Sequence, residues 1–205
     1  MRLKRRKSIN ISIFLIVIGL AFVVQACNSE YTPRPKDFPV MTLPKDHEYQ
    51  HYTSNNCPYS FEYSKYAEIL RDSQIFNFKP ANDCWLNIHY PSLNATVYLS
   101  YKALSGRYTI EKLKNDAHKL TYEHAKKASF IEPIMVKTSN HVYGLIFDVG
   151  GAAASPTQFF ITDTVSHWLR GALYFRTEPN PDSLKPATKY INLDIHHLIE
   201  SVHWQ

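Results

Sequence analysis

The chain has 205 residues, 44% of them hydrophobic and 20% charged, with a formal net charge of +5. Five basic and no acidic side chains fall in the first 26 residues, so the remainder balances 18 against 18. A neutral domain offers no electrostatic reason to bind nucleic acid, and that class of partner is excluded.

Arg2, Lys4, Arg5, Arg6 and Lys7 form a basic start, followed by an apolar run over 9–24 broken by Asn10, Ser12 and Gly19. This is the grammar of a signal peptide. The apolar core, about 12 to 16 residues, is shorter than the roughly 20 a spanning helix needs. Ala26 directly before Cys27 resembles a bacterial lipobox. The expectation is therefore a signal peptide over 1–26 and attachment to a membrane through lipid on Cys27. An uncleaved anchor helix with an incidental cysteine is the alternative. With Asn28 beside the anchor and Glu30 the one acid nearby, the expected location is the cell envelope, at the periplasmic leaflet of the outer membrane. The inner membrane is the alternative.

Residues 27–56 carry Pro33, Pro35, Pro39 and Pro44 and read as a lipidated, semi-stiff tether. Residues 38–43 are apolar enough to lie along the domain as an edge strand instead. Residues 57–205 read as a single domain, long enough to bury its own core. Cys57 and Cys84 remain as an even pair in an oxidising compartment, which favours a disulfide over two separate buried thiols.

Within the domain, 59–63 alternates like a strand, and 84–90 with 96–101 read as an antiparallel pair turning at Pro91-Ser92-Leu93-Asn94. Thr109 reads as an N-cap and Glu111 suits a first helical turn. Ile110, Leu113, Ala117, Leu120 and His124 give one helical face, predicting a helix to about residue 128. Strands are predicted at 142–148, 158–162 and 168–175. Pro179 and Pro181 read as a break, and a second helix is predicted to start near Pro186 with a stripe of Ala187, Ile191, Ile195, Leu198 and Val202. Strands, helix, strands, helix make an α+β domain: an antiparallel sheet of about six strands with two helices packed on it. By topology it resembles the PsbP/Mog1 type of sandwich.

No nucleophile elbow, phosphate loop, dinucleotide fingerprint or zinc-protease motif occurs, so no catalytic residue, cofactor or metal is expected. His47 and His51 lie in the tether, where no fixed geometry is expected; His118 and His124, and His196 with His197, diverge on their helices. The stretch 150–156 (GGAAASP) is the most unusual local composition, since small residues let a backbone or ligand approach closely. Asp148, Gly150, Gly151 and Ser155 are thus a candidate binding loop, with a tight strand connection as the alternative. Tyr98, Trp168 and Tyr174 are candidates for an aromatic contact face. Asp163-Thr164-Val165 and Asp182-Ser183-Leu184 resemble the O-glycosylation pattern of Bacteroidetes exported proteins, which marks Thr164 and Ser183.

Several strings together resemble one family. They are 57–63 (CPYSFEY), 84–88 (CWLNI), 97–101 (VYLSY), 153–159 (AASPTQF), 169–175 (LRGALYF), 179–184 (PNPDSL) and 194–198 (DIHHL). The resemblance is to the gliding-motility lipoprotein GldD family of Bacteroidetes. It implies a non-enzymatic envelope protein required for gliding and for the associated type IX secretion apparatus. The lipoproteins GldB, GldH and GldJ are the implied partners, and no catalytic residue carries over. A periplasmic ligand-binding module using residues 150–156 is the alternative function.

Overall fold

The computed structural model describes residues 42–71 and 82–205, all within one unit, Pro39–Gln205. The signal segment, Cys27 and the tether up to residue 41 lie outside the described residues. The strands are β1 (Tyr49–Tyr52), β2 (Tyr59–Ser64), β3 (Glu68–Leu70), β4 (Leu86–Tyr90), β5 (Ala95–Ala103), β6 (Ala128–Lys137), β7 (Tyr143–Gly151), β8 (Thr157–Thr162), β9 (His167–Phe175) and β10 (His203–Trp204). The helices are α1 (Ile110–Tyr122) and α2 (Pro181–Ser201).

Every pairing is antiparallel, and the main sheet runs β3-β4-β5-β9-β8-β7-β6, with β1-β2-β10 as a smaller sheet. The α+β class with two helices on an antiparallel sheet is as expected, although the main sheet has seven strands rather than about six. The predicted strand at 59–63, β2, falls in the smaller sheet, and two unpredicted strands join the main one: the three-residue β3 and the longer β6. The β6 sequence, ASFIEPIMVK, alternates poorly and contains Pro133. A proline removes a ladder donor and restricts a strand to a sheet edge, which is where β6 lies.

Side-chain alternation assigns the two faces. Val97, Leu99 and Tyr101 of β5, with Leu169 and Leu173 of β9, join Ala187, Ile191, Ile195 and Leu198 of α2 in the larger core. On the opposite face Leu113 and Ala117 of α1 pack on Phe147, Val149, Phe160 and Trp168. Trp168 stacks on Phe160 at 4.5 Å and is 2% exposed, so it is core and not contact face.

Helix boundaries follow their caps. Thr109 accepts from the Lys112 N–H at the start of α1. That helix ends at Tyr122 and passes through a 3-10 turn, Glu123–Lys126, directly into β6, so the predicted extension to residue 128 is too long. Its buried positions are Leu113, Ala117 and Thr121, while Leu120 is exposed; the His124 side chain lies outside the description. The second helix begins five residues earlier than predicted. Asn180 caps it by accepting from the Ser183 N–H, and Pro181 occupies the first turn, where its fixed φ suits the helix. The prolines read as a break are therefore a start.

The tether also ends earlier than residue 56. Strand β1 pairs with β2, Tyr52 stacks on Phe61 at 4.9 Å, and Leu43 packs against the core. Aromatic burial holds this segment on the domain. The edge strand thus lies at 49–52; of the 38–43 segment, residues 38–41 fall outside the described residues. A disulfide joins Cys57 and Cys84, whose Cα atoms are 5.4 Å apart, and ties the approach to β2 to the approach to β4.

Candidate functional site

The predicted binding loop connects β7 to β8. Its glycines have a packing role. Gly151 has φ +84, and a Cβ there would sit 2.6 Å from the Ser129 nitrogen. A Cβ on Gly150 would enter the Phe130 ring, at 2.1 Å. Both positions accommodate the entry of β6, where its register with β7 shifts between Ala128 and Ile131. Asp148, Gly150 and Gly151 nevertheless border a groove of about 570 Å³, closed on its far side by Leu184, Thr188 and Asn192 of α2. The Asp148 carboxyl is pushed above the usual range, chiefly by burial and also by Glu132, its cross-strand neighbour. Ser155 does not reach the groove: it is fully buried, donates to the Thr157 carbonyl at 3.3 Å and lies beside Tyr174.

The two glycosylation candidates differ in access. Thr164, with φ 70, sits exposed at the β8–β9 turn beside Val165, which is 75% exposed. The turn is shaped by Asp163, whose carboxylate accepts from the Val165, Ser166 and His167 N–H groups. Burial raises the Asp163 pKa, but these three donors outweigh it and hold the carboxyl below its ordinary range. Ser183 is half-buried in the first turn of α2, and its hydroxyl donates to the Asn180 carbonyl at 3.2 Å.

A second cluster was not foreseen. Asp194 projects from α2 into the core and is 2% exposed. Its Oδ1 is 2.7 Å from Nδ1 of His47, and its Oδ2 accepts from the Tyr90 hydroxyl at 3.2 Å. The His47 ring stacks on Tyr190 at 4.2 Å, and the Tyr190 hydroxyl donates to the Asp46 carbonyl. Alongside, His197 meets Glu62 at 2.7 Å and stacks on Tyr49 at 3.5 Å. Burial and then the Asp194 charge push the Tyr49 and Tyr190 pKa values up to about 12, so both hydroxyls stay protonated. His47 therefore has a fixed geometry, contrary to the expectation for a tether, because a buried carboxylate requires a partner. The sign in the sequence is an acid set directly among Tyr190, Ile191, Ile195 and Leu198.

This cluster is built to hold the 46–52 segment against α2. Among the described residues no three His, Cys, Asp or Glu side chains group as metal ligands. No helix among them is long and apolar enough to cross a membrane.

No curated protein matches the chain. Among solved structures, the solution structure of cyanobacterial PsbP (CyanoP) from Synechocystis sp. PCC 6803 is similar at 10% identity, covering 82% of this chain and 100% of that one. The TM-score is 0.45. The family model of the gliding motility lipoprotein GldD matches residues 28–204, which is most of the chain. The chain thus belongs to the GldD family of gliding-motility lipoproteins, proteins associated with the membranes of the cell envelope.

Proposed function

We propose that this lipoprotein serves gliding motility, and the type IX secretion apparatus associated with it, as an assembly factor that works through protein contacts rather than catalysis. The observation that carries the reading is the outer edge of β6. This strand of ten residues is the last in the main sheet, and among the described residues it pairs only with β7. Phe130, Ile134 and Met135 on it are 51%, 42% and 87% exposed. Pro133 removes one donor from this edge, and on either side of it an extended segment of a partner can add by main-chain hydrogen bonds. Phe130 also lines the groove beside Asp148, so the apolar surface continues from the strand into the cleft. Other gliding lipoproteins of the envelope, with GldB, GldH and GldJ first among them, are the partners this reading assigns. The anchor is placed in the periplasmic leaflet of the outer membrane.

The test introduces charge on that edge. Ile134→Lys combined with Met135→Glu is expected to abolish gliding and secretion while the protein stays folded and abundant. A photo-crosslinker at position 135 is expected to capture a gliding lipoprotein in intact cells. Normal motility of the charged variant refutes the contact reading. The 570 Å³ groove favours one second reading, a ligand-binding module. Loss of motility on Asp148→Asn alone, with partner levels unchanged, selects that reading instead.

A further inference from the structure

On the α1 side of the main sheet, where the helix covers only part of the strands, lies a second groove of about 510 Å³. Its floor is formed by Tyr98 and Ser100 of β5 opposite Ala172 and Arg170 of β9. Trp85 and Tyr174 stand in its wall, and Tyr98 meets Tyr174 edge to face at 5.7 Å. The Trp85 ring is held by its Nε1, which donates to the Tyr101 carbonyl at 3.0 Å.

Arg170 is the unusual group here. It is half-buried in the middle of the sheet, and among the described residues no carboxylate lies within ion-pair distance of it. Burial lowers its pKa, yet a guanidinium stays charged in any protein. Its Nη2 donates to Oε1 of Gln158. The Thr121 hydroxyl of α1 shares its single proton between that oxygen, at 3.3 Å, and the Ala117 carbonyl, at 2.9 Å. Reversing the amide would set N–H against N–H, so Arg170 fixes its orientation. The consequence is that Nε2 of Gln158, in a residue 1% exposed, has no partner. Around Arg170 and Gln158 one buried amide donor is thus left over, and among the described residues no carboxylate pairs with the guanidinium. A cation drawn from water without a counter-charge costs stability, and such uncompensated groups concentrate at binding sites.

We infer that this groove binds a small organic monocarboxylate with a ring-sized apolar body, its carboxylate on the Arg170 guanidinium and its ring against the aromatic wall of Trp85, Tyr98 and Tyr174. A planar carboxylate matches the two-pronged donor geometry of arginine. The volume suits one ring system with a short substituent. Asp116 of α1 and Glu123 of the 3-10 turn after it also line the groove and set the limit on charge. They disfavour a polyanion such as a nucleotide while a single carboxylate at the floor lies nearest the cation.

The full-length lipidated protein in nanodiscs provides the test, with 4-nitrobenzoate as probe and tryptophan fluorescence as readout, since Trp85 and Trp168 line the groove. Saturable quenching by 4-nitrobenzoate is expected, with the neutral 4-nitrobenzamide weaker by about ten-fold or more. Arg170→Gln is expected to reduce the two probes to equal, weak binding. Ser100→Phe, which fills the groove and leaves Arg170 in place, is expected to abolish quenching by both, and it serves as the test if R170Q does not fold. Equal affinity for acid and amide in the wild type overturns the inference. So does the absence of saturable quenching up to millimolar probe, or undiminished binding in the folded variants.

Discussion

Removing the Asp194 carboxylate is expected to detach the 46–52 segment from the domain. In Asp194→Ala the Tyr90 hydroxyl, in a residue 3% exposed, loses its acceptor with no water to replace it, at about 1–3 kcal/mol. His47 loses its partner too, but its side chain is 28% exposed and water takes over much of the bond, so its share is about 0.5–1 kcal/mol. The total is about 2–4 kcal/mol. For a domain of this size each kcal/mol corresponds to about 2–4 °C, so Tm should fall by about 5–15 °C. Thermal unfolding by circular dichroism gives the shift, and limited proteolysis shows whether cleavage now occurs within 42–52. A cycle with His47→Ala separates the latch from packing, since a direct bond requires the two losses to be less than additive. Asp194→Leu combined with Tyr90→Phe removes both buried partners together and should recover part of the loss, because neither polar group is then left unpaired. A Tm drop under about 2 °C in Asp194→Ala, with the segment still protected, refutes the assignment.

Cys57→Ser and Cys84→Ser should each cost about 3–4 kcal/mol by loop entropy for a separation of 27 residues, and the double variant should cost no more than either. Additive losses in urea unfolding would show two independently packed thiols. Gly144→Ala places a Cβ 1.9 Å from the Phe160 carbonyl oxygen, which is backbone and cannot swing aside. It should cost about 1–3 kcal/mol and deprotect the β7 and β8 amides in hydrogen exchange. The lowered Asp163 pKa means that its carboxylate contributes stability at pH values above its unfolded pKa, about 3.9, and that this is lost as pH falls through the lower folded value. The stability gap between wild type and Asp163→Ala should accordingly be constant near neutrality and narrow below about pH 4. A gap that widens on acidification contradicts the three-donor turn.

Much of the architecture is written in short-range pattern, because alternation and a three-to-four-residue stripe are properties of neighbouring residues. The faces of β5, the cap at Thr109, the α2 stripe and the α+β class follow from such local rules. The signal-peptide reading of residues 1–26 and the lipidation reading of Cys27 rest on equally local patterns and concern residues outside the described ones. Composition also marked residues 150–156 as unusual. The reason for their glycines, though, is the approach of Phe130 and Ser129 from β6, a strand whose own pattern Pro133 and two half-exposed faces obscure. Three features depend on residues far apart in the chain. His47 reaches Asp194 across 147 positions. Among the described residues no second strand pairs with the outer edge of β6. Arg170 is an ordinary strand cation in the sequence, and only the packing of α1 over β8 and β9 draws it from water, with no carboxylate among the described residues paired to it. The cost of burying charge depends on what surrounds a group in space, and that is decided when the layers close.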